Sequence, residues 1–148
     1  MSSSVDCSIT VAATPERVWK AWVEEMNQWW TKPYYNDHAL VTGLVMEPRL
    51  GGRYFEKWGE QGEGYLIGTI VEWLPPRRLA HTWSERGWAG INTLVRLEFS
   101  HAEGGGTMLR CTHEGFERLP DGAKAQHGYQ EGWEDLIRKM KACAEAPR

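Results

Sequence analysis

The sequence predicts an α+β domain in which a long C-terminal helix lies across an antiparallel sheet. Three observations carry that reading. From Leu40 to Glu114 the chain is a succession of strand-like runs separated by Gly, Pro and Glu/Gly clusters. Within it, Thr93, Val95, Leu97 and Phe99 alternate with Asn92, Leu94, Arg96 and Glu98, the pattern of a sheet buried on one face and wetted on the other. Finally, Asp121 to Ala146 carries Tyr129, Trp133, Leu136, Ile137 and Met140 on one helical stripe, with Lys and Glu elsewhere.

In chain order, Val5 to Ala12 alternates through Cys7, Ile9 and Val11 as a first strand. Thr14, Pro15 and Glu16 follow as N-cap, N1 proline and first-turn acid of a helix striped by Val18, Ala21 and Trp22 and expected to end near Glu25. Arg17 stands where a full capping box would place Glu or Gln. Asn27 to Thr31 reads as a short second helix or turn, closed by Pro33 and followed by Tyr34 and Tyr35 as an aromatic rim. Six strands follow, at 40–47, 52–58, 63–74, 78–84, 92–100 and 106–114. A glycine-rich hairpin, His101 to Gly106, joins the last two and puts Leu109, Cys111 and His113 on one inward side. In the final helix Gly128 and Gly132 lie four apart beside the apolar stripe. Each costs about 1 kcal/mol relative to Ala, which points to close backbone approach or to open volume beneath, and the second is favoured.

At 148 residues the chain is read as one domain spanning 1–148, able to bury roughly 70% of its unfolded surface. Net charge of −3 with interspersed signs argues against a nucleic-acid footprint and a basic membrane-binding face. Cys7, Cys111 and Cys143 have neither CxxC nor Cys/His spacing, so neither a disulfide framework nor a zinc site is suggested. With no basic-then-apolar leader at the N-terminus and no apolar stretch of spanning length, a soluble cytoplasmic protein is expected.

Nine residues are tryptophan, distributed through nearly every structured segment. Each brings a large apolar surface and an N–H that needs a partner when buried, so their crowding favours an interior with some polar, solvated space. A ligand cavity is the simplest such space.

Particular words in the chain resemble the START-like (SRPBCC) helix-grip superfamily, specifically the activator of Hsp90 ATPase homologue 1-like (AHSA1) domain. They are Thr14 to Trp19 after the first strand, Gly51 Gly52 Arg53 Tyr54, and Gly68 with Val71 and Glu72 leading to Pro75 to Leu79 and Thr82 Trp83. Gly106 Thr107, Thr112 to Phe116 and Gly132 Trp133 complete the series. The resemblance implies a curved seven-stranded antiparallel sheet gripping the C-terminal helix, two short helices after strand 1, and a cavity between sheet and helix. It implies little about function, because the fold hosts lipid carriers, cyclases and co-chaperones. The family's chaperone activators carry an additional N-terminal domain, whereas the first strand here begins within a few residues of Met1, so stimulation of Hsp90 is not expected. Homodimerisation is plausible for the fold.

Strand 52–58 sets Arg53, Phe55 and Lys57 against Tyr54, Glu56 and Trp58. Two cations mark the first face as solvent-exposed, which turns Glu56 into an aromatic enclosure where desolvation would raise its pKa. Glu56 and the inward His113 are therefore the candidate acid–base groups if the chain is an enzyme; the alternatives are that Glu56 pairs with an arginine or lies at the rim, and that His113 satisfies a buried partner. His81 shares a strand face with Leu79 and Trp83 under the same caution. No HxH, HExxH, GxSxG or phosphate-cradle context occurs, so no metal or other cofactor is implied, and Ser2 to Ser4, Ser8, Ser84 and Ser100 are not nucleophile candidates.

The leading expectation is a protein that binds a small hydrophobic or aromatic molecule. Trp29, Trp30, Tyr54, Trp58, Trp83, Tyr129, Trp133 and Ile137 would wall the site, with Glu56 and His113 as polar anchors. A cyclase- or aromatase-like enzyme using the same cavity and a stress-related protein-interaction module displaying Trp88, Tyr34 and Tyr35 are the alternatives.

Overall fold

A computed structural model describes residues 4–147, which leaves Ser2 and Ser3 outside the described residues. The order is β1 (Val5–Val11), α1 (Pro15–Val23), α2 (Met26–Trp29), a 3₁₀ turn (Lys32–Tyr34), β2 (Gly43–Met46), β3 (Arg53–Lys57), β4 (Gly64–Leu74), β5 (Arg78–Trp83), β6 (Thr93–His101), β7 (Thr107–Glu114) and α3 (Gly122–Glu145). All seven strands form one antiparallel sheet in the order β1-β7-β6-β5-β4-β3-β2. Consecutive strands pair as hairpins, and only β1 departs from sequence order by closing against β7. Register shifts at Tyr54/Phe55 and at Ile70/Glu72 bend the sheet where β4 meets its neighbours. The result is the curved seven-stranded helix-grip architecture, with α3 packed across the concave face.

The alternation read from β6 and β7 is the burial pattern observed. Thr93, Val95, Leu97 and Phe99 point inward, as do Thr107, Leu109, Cys111 and His113. Against them α3 sets Trp133, Leu136, Ile137 and Met140, all buried. Trp22 of α1 stacks on Trp133 with centroids 6.1 Å apart, and Trp19 wedges between Phe99 and Trp73.

Three boundaries differ from the sequence expectation. Helix α1 stops at Val23 rather than near Glu25, and the indole N–H of Trp29 donates to the carbonyl of Ala21 at 2.8 Å as the chain folds back. The short second helix or turn expected at 27–31 is α2, set one to two residues earlier at Met26–Trp29, and a separate 3₁₀ turn follows it at Lys32–Tyr34. Strand β2 begins at Gly43 rather than 40, since the Asp37 carboxylate accepts from the N–H groups of Ala39 and Leu40 and holds that stretch as a turn.

Arg17, which spoils the capping box, has another task. Thr14 still caps α1 by accepting from the Arg17 N–H at 3.2 Å, while the Arg17 guanidinium donates to the carbonyls of Cys143 and Ala144 and pairs with Glu25 at 2.8 Å. The last turn of α3, whose carbonyls lack intrahelical donors, is thereby capped by a cation from α1.

Both edges of the sheet are plugged by carboxamides. On β1, Gln130 of α3 accepts from the Asp6 N–H at 3.3 Å and donates to the Asp6 carbonyl at 3.2 Å. On β2, Asn27 does the same for Leu44, at 2.7 and 3.0 Å. Gln126, Lys141 and Glu145 satisfy further groups of β1 or its end at Ser4, Thr10 and Ala12. Such side-chain pairing occupies groups that would otherwise template another strand.

Candidate functional site

The space directly between sheet and helix is filled by rings. Trp83 of β5 meets Trp133 at 5.6 Å and His113 at 5.8 Å, and His113 packs on Phe116 at 4.5 Å. The recess lies to one side, between the N-terminal half of α3 and the segment 30–36, with a volume of about 430 Å³. Trp30, Trp83, Tyr129 and Trp133 form its aromatic lining together with Tyr34 and Tyr35. Their planes are steeply inclined, 78° between Trp30 and Trp133 and 87° between Trp83 and Tyr129, so they build a corner rather than a stack.

The recess exists because α3 carries glycine where it faces this segment. A β-carbon at Gly128 would meet no atom within 4 Å, and one at Gly132 would lie 3.3 Å from the ring of Tyr34. Gly128 therefore borders open volume, whereas Gly132 makes room for a rim tyrosine. Tyr34 is pinned there by its hydroxyl, which donates to Asp135 at 2.7 Å. Burial and that bond push its phenol up to about 12. Lys139 braces the same carboxylate at 2.9 Å and also reaches Thr31.

The two expected polar anchors lie elsewhere than in the lining. Glu56 is fully buried on the face its strand alternation required, but neither oxygen is turned to the recess. Oε2 accepts from the Asn36 N–H at 2.6 Å and from its side-chain amide at 3.4 Å. Oε1 accepts from the Asp37 N–H and the Trp58 indole, both at 2.8 Å. The expected aromatic enclosure is instead a nest of N–H donors around the carboxylate. Glu56 thus acts as a clamp that positions Tyr35 and Asn36 in the cavity wall. Arg86 fastens the wall from outside, donating its backbone N–H to Asn36 and its guanidinium to Asp37, both at 3.1 Å.

His113 is likewise fully buried and fully used. Nδ1 accepts from the Trp133 indole at 3.1 Å, which leaves the proton on Nε2 for Thr93 Oγ1 at 2.6 Å; Thr93 passes its own proton to the Trp83 carbonyl. Burial, with His81 adding like charge, lowers the His113 pKa to about 3. His81, held by the Thr82 carbonyl, is lowered by burial to about 4. Both imidazoles are neutral core groups.

Of the other residues expected at the site, Trp29 packs behind Trp30 at 5.8 Å, and Tyr54 donates to the sulfur of Met26 beneath the His81 ring. Trp58 lies under the Arg86 guanidinium at 5.4 Å. Ile137 faces β1, in a separate shallow recess with Cys7 and Ile9. Trp88 is half-buried against Tyr129 and Phe116 rather than displayed. The sequence reading missed Asn36, Glu85, Asp121 and Lys124, which also line the recess. Glu85 accepts a short hydrogen bond from the Tyr129 hydroxyl, whose pKa burial drives well upward. That pairing spans 44 residues, and no local pattern announces it. Among the described residues no group of three His, Cys, Asp or Glu side chains converges to hold a metal ion, and no helix is long and apolar enough to cross a membrane.

The fold and the words that carry it meet in one comparison: the family model described as activator of Hsp90 ATPase homolog 1-like protein matches residues 12–145. The chain belongs to this family. Proteins of known structure superimpose along nearly its whole length. A protein from Rhodobacter sphaeroides is 25% identical with a TM-score of 0.73, covering 98% of this chain and 94% of that one. The Aha1 dimer of Colwellia psychrerythraea, solved in solution, is 15% identical with a TM-score of 0.70 and 96% coverage of each chain. CalU16 of Micromonospora echinospora is 23% identical with a TM-score of 0.68, over 96% of this chain and 76% of that one. No curated protein is significantly similar in sequence. At these identities the likeness establishes the family's fold.

Proposed function

We propose that this member of the family is a cytoplasmic binder of a small organic molecule, held in the recess between α3 and the segment 30–36. The observation that carries the reading is Gly128, a mid-helix glycine whose missing side chain opens onto a volume of about 430 Å³ walled by tryptophan and tyrosine. A helix gives up about 1 kcal/mol there, and no neighbouring backbone needs the room. A volume of this size suits a ligand of drug-like dimensions or smaller. Trp30, Trp83, Tyr129 and Trp133 supply the contact surface. Glu56, Asn36 and Arg86 act by holding one wall in place, and His113 by fixing the Trp133 indole. The reading goes no further toward catalysis, because Glu56 and His113 have their hydrogen-bonding atoms committed within the protein.

Tryptophan emission provides the test, since three indoles line the recess. Titration with a panel of small aromatics should quench it saturably, and Gly128→Leu, which fills the volume, should abolish the response while leaving the fold intact. Flat titrations with every member of the panel would refute the reading.

A further inference from the structure

The lining of the recess is rich in acceptors and poor in donors. Each of its three indoles has already given its N–H to the protein: Trp30 to the Tyr34 carbonyl, Trp83 to the Tyr129 oxygen and Trp133 to His113. Each of its three phenols has likewise given its proton, Tyr34 to Asp135, Tyr35 to the Trp30 carbonyl and Tyr129 to Glu85. The Asn36 amide is tied to Glu56 and to Arg86. Apart from one N–H of Asn36 and the exposed Lys124 ammonium, what the lining side chains have left to offer a ligand is aromatic surface and oxygen.

Charge points the same way. Glu85 is half-buried in the lining, and among the described residues no cation pairs with its carboxylate, which accepts from the Tyr129 hydroxyl. Asp121 adds a second carboxylate at the end where α3 begins. Lys124 lines the same end, and since both it and Asp121 are exposed, water and salt screen the two alike and their charges offset, which leaves Glu85 as the charge that counts. The cations that lie over rings are Arg53 on Phe55, Arg86 on Trp58 and Lys139 on Tyr34 at the rim of the recess; the indoles of the recess have none among the described residues. Unoccupied π surface beside an uncompensated carboxylate is the environment that desolvates and holds an organic cation.

We propose that the recess selects an organic cation, an ammonium carried on an aromatic or apolar body, with Glu85 as its counter-charge. This rests on the cavity reading above and adds the chemical class of the ligand. The apolar body sits against Trp30 and Trp133, and the ammonium is directed toward Glu85 between Trp83 and Tyr129.

Calorimetric titration of the full chain with phenyltrimethylammonium, its neutral isostere tert-butylbenzene, and benzoate provides the test. The cation should bind at least about tenfold more tightly than the neutral isostere, and benzoate more weakly than either. Glu85→Gln keeps an acceptor for Tyr129 and should bring the cation to within about threefold of the neutral compound, with the neutral compound's own affinity unchanged. Equal binding of cation and isostere by the unaltered chain, or a preference for benzoate, would overturn the cation inference and leave the cavity reading standing. A cation preference that survives Glu85→Gln would overturn the role of Glu85. Binding of none of the three would overturn both the inference and the cavity reading.

Discussion

The indole N–H of Trp133 donates to Nδ1 of His113, and this single bond fixes which nitrogen of a buried imidazole carries the proton. Protonating Nδ1 would set two donors against each other inside the core.

Stability should therefore decline in mild acid. His113 and His81 are lowered to about 3 and about 4 by burial, against about 6.5 in the unfolded chain. The unfolded state binds more protons than the folded state between these values, so the stabilisation is present above pH 6.5 and is lost as pH falls. Near pH 5, where the difference in bound protons is greatest, the two groups should together contribute a slope approaching about 2.7 kcal/mol per pH unit. Urea denaturation at a series of pH values measures it, and His113→Gln should remove about half of the slope. A flat profile would show that the imidazoles are not held neutral.

Gly128 separates stability from binding. Gly128→Ala adds a methyl group to open space and should stabilise α3 by about 1 kcal/mol while weakening the ligand response by intruding on the recess. Gly132→Ala should gain less or lose, since its methyl group meets Tyr34, whose hydroxyl is tied to Asp135. Thermal unfolding of the two variants should rank them in that order.

Glu56 should matter to the wall before it matters to any chemistry. Glu56→Gln puts an amide donor among the N–H groups of Asn36, Asp37 and Trp58 and should cost about 2–3 kcal/mol. Amide exchange at Asn36 and Asp37 should accelerate more than at the centre of β6. Unchanged exchange there would deny the clamp.

Arg17→Met should fray the end of α3, costing about 1–3 kcal/mol, because it removes the donors to Cys143 and Ala144 and one partner of Glu25. Amide exchange over the last turn of α3 reads the fraying. Adding Glu25→Gln should recover part of the loss, and an additive double variant would show that the ion pair is not coupled to the cap.

The fold was legible because its signals are local. Alternation in β6 and β7, Thr14 and Pro15 before α1, and the stripe from Tyr129 to Met140 each decide an element within a dozen residues. The side on which Glu56 lies was legible too, from Arg53 and Lys57 beside it. Its partners were not, because two backbone N–H groups arrive from a loop whose course is set by Asp37 and Arg86. The position of the recess was hidden for a related reason. The packing of Trp22, Trp83 and Trp133 closes the centre of the grip, and the opening is displaced to where Gly128 faces segment 30–36. Glu85 was missed outright, since its significance depends on Tyr129 in a distant helix.

The carboxamides of Gln130 and Asn27 have a consequence for assembly. With Asp6 and Leu44 already matched by an amide in strand-like fashion, the seven strands form a finite ribbon that cannot recruit an eighth from a neighbour without first expelling a side chain. Any strand added at either margin must therefore displace the carboxamide at Asp6 or at Leu44, and replacing Asn27 with Asp, which turns a donor into an anion facing the Leu44 carbonyl, should loosen the β2 margin.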